Sequence, residues 1–122
     1  MKDFWKMFSK IYNNMTFAEK TIQFYQQLSL PGDFFEEVEV LNTYHNSEII
    51  ASTKTFYHKY FDDNKPRRII LGINPGRFGA GITGIPFTDP IRLANDCGIS
   101  HSFENKPELS SQFIYQLIGQ MG

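Results

Sequence analysis

Apolar residues Phe4, Phe8, Ile11 and Met15, flanked by Trp5 and Tyr12, recur at helical spacing and predict a first amphipathic helix lying on a core. Thr16-Phe17-Ala18-Glu19 has the form of a capping box, and Ala18, Ile22 and Tyr25 continue one face of a second helix as far as Pro31-Gly32. Glu37 to Tyr44 begins with polar and apolar residues in alternation, the pattern of an edge strand with one wet face. Asn46 or Ser47 then caps a helix with Glu48 in its first turn and Ile49, Thr53, Phe56 and Tyr60 as its buried stripe. Asp62-Asp63-Asn64-Lys65-Pro66 stops it.

The next run, Arg67-Arg68-Ile69-Ile70-Leu71-Gly72-Ile73, is unbroken and β-branched, as expected of a central strand covered on both faces by helices. It stops at Asn74 and breaks into a glycine-rich loop that continues through Thr83-Gly84-Ile85-Pro86-Phe87. Thr88-Asp89-Pro90 offers an N-cap and a proline at the first helical position, opening a short helix that ends near Gly98. Ser100 to Leu109 reads as polar and irregular, and Ser110 caps a last helix built on Phe113, Ile114, Leu117, Ile118 and Met121.

The pattern predicts one α/β unit over residues 1–122, with no repeat, low-complexity tract or linker to divide it. A central strand needs neighbours, because an unpaired ladder leaves amides unsatisfied or invites another chain to pair. With one other strand legible, the chain reads as part of a larger domain.

Twelve Phe, six Tyr and one Trp supply large areas for core packing and for stacking on bases. The formal net charge of −1 argues against a protein that grips nucleic acid chiefly by neutralising phosphates. A single cysteine, Cys97, excludes an internal disulfide and a four-cysteine metal or cluster site. With no apolar leader and no segment long enough to span a bilayer, the expected setting is cytoplasmic and the expected partners exclude membranes.

In open α/β sheets ligands bind beyond the carboxyl ends of strands, which puts Asn74 at the predicted site. Gly79-Ala80-Gly81-Ile82-Thr83-Gly84 matches a dinucleotide fingerprint by letter only. Pro75 to Phe78 separate it from the strand, and Pro86 interrupts any helix after it. No Gly-Lys-Ser/Thr and no Gly-x-Ser-x-Gly occurs, and His45, His58 and His101 lack metal-ligand spacing.

Gly72-Ile73-Asn74-Pro75-Gly76-x-Phe78-Gly79, followed by Thr83-Gly84-Ile85-Pro86-Phe87, resembles the first active-site motif of uracil-DNA glycosylases of the single-strand-selective monofunctional type. The likeness extends over residues 37 to 115. The Gly-Ile-Asn-Pro-Gly core also occurs in mismatch-specific thymine/uracil glycosylases, but the 13 positions from Asn74 to Phe87 fit the single-strand-selective type. Arg77 stands where that type usually carries proline, and Ala80-Gly81-Ile82 also departs from it.

The resemblance implies a uracil-DNA glycosylase-like α/β/α sandwich with a parallel central sheet, present here as its N-terminal part. It implies that the complete protein removes uracil, or a related damaged pyrimidine, from single-stranded or duplex DNA by hydrolysis, without metal or organic cofactor. Asn74 would position the water, while Ile73, Gly76, Phe78, Ala80 and Phe87 would line the base pocket, with Phe87 as its stacking face. Arg77 and Arg92 are candidate phosphate contacts. The family's second asparagine, its His-Pro-Ser loop and its DNA wedge have no counterpart up to Gly122, so the chain alone is expected to be nearly inactive. The alternative is a non-catalytic module that binds nucleic acid or a partner on the same fold.

Overall fold

The computed structural model describes residues 1–29 and 41–122. Its described part contains six α-helices: α1 (Lys2–Asn14), α2 (Phe17–Gln27), α3 (Ser47–Phe61), α4 (Ala80–Thr83), α5 (Pro90–Asn95) and α6 (Leu109–Met121). A short 3-10 turn, Thr43–His45, precedes α3.

The α/β sandwich with a parallel central sheet is not what the described residues form, since none of them lies in a strand. The run read as the central strand is irregular and open to solvent, with Ile69 81%, Leu71 88% and Ile73 103% exposed. A strand exists only through hydrogen bonds to a neighbour, and residues 68–73 make no backbone bond to any described residue. The side chains' β preference does not by itself supply that partner. Of the predicted edge strand, residues 37–40 lie outside the described residues, and 41–44 pass directly into the 3-10 turn.

The helices pack through two adjoining cores. Ala18, Ile22 and Tyr57 join α2 to α3, with Tyr25, Phe56 and Phe61 against them. Ile85, Leu93, Cys97 and Ile99 form the second, covered by Phe56, Phe103 and Tyr115. Phe56 belongs to both, so α3 is the wall that the loop and α5 share. Its buried face runs through Ile49, Ser52, Thr53 and Tyr57, leaving Tyr60 exposed. The first helix forms as its periodicity predicts but buries no residue, so the expectation that it lies on a core is wrong among the described residues.

Thr16 connects the start of α2 to the end of α3. Its hydroxyl accepts from the Glu19 amide (3.2 Å) and donates to Asp62 Oδ1 (2.9 Å), while the Glu19 carboxylate takes the Thr16 amide at 2.7 Å. Thr16→Ala removes the cap and the crosslink together and is expected to cost about 1–2 kcal/mol, read as a lowered urea midpoint.

Glu48 plays a similar part for the segment after α5, accepting both the amide (2.7 Å) and the hydroxyl (2.6 Å) of Ser102. The Ser102 bonds hold its carboxyl below the ordinary glutamate range. The stabilisation is therefore complete above the unfolded value of about 4.3 and disappears as pH falls through the lower folded value. Glu48→Gln should match the native chain in thermal stability below that window and trail it at pH 7.

Candidate active-site loop

Glycines wind residues 76–84 into a tight coil. The Gly76 carbonyl accepts from the amides of Gly79 (3.2 Å) and Gly81 (2.8 Å), and the Gly79 carbonyl accepts from Ile82 and Thr83, both at 2.9 Å. These bonds pass directly into α4. Gly84 then ends it at φ +72°, where a Cβ would stand 2.5 Å from Ile49 Cγ2, so both the backbone and the space require glycine.

Thr83 pins the returning chain. Its buried hydroxyl donates to the Thr88 carbonyl at 2.7 Å and accepts from the Ile85 amide at 3.1 Å. Tyr44 fastens the same turn from the other side, donating to the Gly84 carbonyl at 2.7 Å while stacking on Tyr25 with ring centroids 4.2 Å apart. Burial, reinforced by Tyr25, pushes the Tyr44 hydroxyl well above the ordinary tyrosine range, so it remains a donor.

Between these fixed points Phe87 sits at φ +56°, a conformation that bulky residues avoid. Such strain persists where surroundings over-determine it, and it concentrates at functional sites. The ring lies on Gly72, where a Cβ would come within 3.0 Å of Phe87 Cζ. Gly72 and Phe87 therefore bring the start of the loop against its end, with Asn74 between them in the chain. Asn74 is exposed, and its Nδ2 donates to the Pro75 carbonyl at 3.2 Å. Its Oδ1 accepts no hydrogen bond from the described residues.

The other predicted site residues divide. Arg77 and Ala80, together with Pro75, line a cavity of about 700 Å³ that Leu28, Leu41 and Tyr44 also line. Phe78 is 39% exposed, with the Arg77 guanidinium 5.5 Å and the Lys106 ammonium 5.4 Å from its ring centroid. Ile73 projects into solvent and lines no wall among the described residues. Arg92 is turned inward, its Nη1 3.6 Å from the fully buried Asp89 carboxylate. Gly76 and Gly79 lie beneath the carboxyl of Glu108, a residue that the sequence reading left in an irregular segment.

His101 is spent structurally. Its Nδ1 accepts from the Phe103 amide at 3.2 Å, so Nε2 carries the proton and donates to the Pro90 carbonyl at 2.7 Å. Among the described residues no cluster of three or more His, Cys, Asp or Glu could hold a metal ion, and no helix is long and apolar enough to cross a membrane.

No protein-family model matches the chain, and neither does any curated protein. Among solved structures, the crystal structure of wild-type Pedobacter heparinus SMUG2 is similar at 44% identity, with a TM-score of 0.74 over 88% of this chain. That SMUG2 is a member of the uracil-DNA glycosylase superfamily, and this chain is similar to part of it. It spans 47% of the length of that SMUG2 structure. The glycosylase resemblance read from the Gly72–Phe87 motif thus has an independent match in a structural comparison over 88% of this chain. Thr83, Tyr44 and Glu108 are supports of this loop that the motif alone does not reveal.

Proposed function

We propose that the complete protein acts on DNA as a uracil-DNA glycosylase, hydrolysing the N-glycosidic bond of uracil or a related damaged pyrimidine in the cytoplasm, with this chain supplying the Asn74 loop. Cleavage builds positive charge on the sugar and negative charge on the departing base. Asn74 holds a water in line for the cation-like sugar, using an amide oxygen that has no competing partner among the described residues. Phe87 gives the flipped base its stacking face, and the glycine coil lets backbone amides approach the base edge. Arg77 meets a phosphate beside the cavity.

The observation that carries this reading is the strained Phe87, held against Gly72 so that an aromatic face and an exposed asparagine share one loop. A second reading, a module that binds nucleic acid without cleaving it, draws support from Phe78, whose exposed ring lies beside two cations.

Single-turnover release of uracil from a single-stranded deoxyuridine oligonucleotide, with the chain in excess, separates the two. Release from this oligonucleotide, and none of base from its thymidine counterpart, supports the glycosylase. Binding of both oligonucleotides with no release supports the binding module and removes the catalytic claim for this chain.

A further inference from the structure

Gly76 and Gly79 leave a hollow on the inner side of the loop, and it is filled from outside. A Cβ built on either glycine would coincide with a carboxyl oxygen of Glu108, Oε1 over Gly76 and Oε2 over Gly79. One carboxyl thus spans both positions. The root of that side chain is fixed: the Glu108 amide donates to Asp89 Oδ2 at 3.0 Å, and its carbonyl accepts from the Gln112 amide at 3.0 Å as α6 begins.

We propose that Glu108 is a positioning residue for Asn74. Its carboxyl fills the space left by the two glycines and fixes how far the loop stands from the start of α6. Neither glycine can be replaced without evicting the carboxyl, because the Cβ and the oxygens claim the same volume. Partial burial raises the carboxyl above the ordinary glutamate range, with the charge of Asp89 adding to it and Ser110 opposing it. The group therefore gives up solvation to rest on the loop, as expected of a side chain held there by shape. The effect on catalysis rests on the glycosylase reading; the effect on the loop does not.

The test is a mutant cycle followed in 1H–15N spectra of the full chain. Gly76→Ala and Glu108→Ala should each shift the Asn74 side-chain amide and the Gly81 backbone amide in the same direction. The double variant should shift them no further than either single change, because the same contact is lost once. Glu108→Gln, which retains the volume, should return these signals near their native positions. Should Glu108→Ala fail to fold, Gly76→Ala compared with Glu108→Gln makes the same distinction.

Shifts that add in the double variant, or an Asn74 signal indifferent to Glu108→Ala, would overturn the proposal. If uracil release is observed, Glu108→Ala should lower it up to about 100-fold through misplacement, with Glu108→Gln restoring most of the rate. A non-additive cycle in a chain that releases no uracil would keep Glu108 as the loop's support and remove only the catalytic claim for this chain.

Discussion

In the complete protein, Asn74→Ala is expected to lower single-turnover uracil release by about 100- to 1,000-fold, leaving affinity for the oligonucleotide unchanged. Within the native chain the Asn74 side chain makes one local bond, to the Pro75 carbonyl, and is otherwise exposed. Truncation at such a position typically alters stability by no more than about 0.5 kcal/mol, so a loss of rate would not reflect unfolding. An interaction that matters only as charge develops should lower the chemical step and spare binding. Asn74→Asp supplies a useful contrast. It retains an oxygen able to hold the water but loses the amide donor and adds a negative charge beside an anionic leaving group. Partial activity in Asp and almost none in Ala would identify water positioning as the asparagine's contribution. Equal rates in all three chains would remove Asn74 from the mechanism.

The local elements were the most legible in the sequence, because their causes lie within a few residues. Thr16 and Glu19 form the capping box that their spacing predicts, and Asp89-Pro90 opens α5 as an N-cap and first-turn proline. Asn46 takes the cap of α3. The cap of α6 falls on Glu108 and not on Ser110, because Asp89 supplies a long-range acceptor for the Glu108 amide. The sheet was misread for a related reason. A run such as Ile69-Ile70-Leu71 records a tendency to be covered on both faces, but pairing needs a second strand, and no described residue offers one.

The candidate site's geometry was legible to the extent that it is local. Asn74 and Phe87 stood out through motif spacing, and Gly72 brings the two ends of that motif together. Ile73 did not follow, because its environment depends on the covering that the run lacks. Arg92, a candidate phosphate contact by sequence, faces a carboxylate only three residues away at the N-cap of the same helix. Glu108 stands 32 positions beyond Gly76, and periodicity has no means of pairing them.

Asp89→Ala is the substitution expected to cost the fold most, about 3 kcal/mol from a lost helix cap together with buried charge-assisted bonds. Asp89 is 0% exposed, yet its carboxylate accepts two amide hydrogen bonds and pairs with one guanidinium. Oδ1 accepts the Arg92 amide at 2.8 Å, while Oδ2 accepts the Glu108 amide at 3.0 Å and faces Arg92 Nη1 at 3.6 Å. Its own amide donates to Ser111 Oγ at 3.0 Å, fastening α6 from a second point. Alanine would leave the Glu108 amide and the Arg92 cap unsatisfied at the same junction. Asp89→Asn separates the two functions, since asparagine is as good an N-cap as aspartate but has only one side-chain oxygen. With that oxygen retained by the Arg92 amide, its NH2 group would confront the Glu108 N–H. The Asn variant should therefore lose roughly half as much stability as Ala in urea melts. Its disturbance should spread towards α6 and the glycine coil, displacing the Gly76 and Gly79 amide signals while those of α2 remain in place. Equal stability of the native chain and Asp89→Ala would mean that α5 and α6 do not depend on this carboxylate, and the path from Asp89 through Glu108 to the loop would be lost with it.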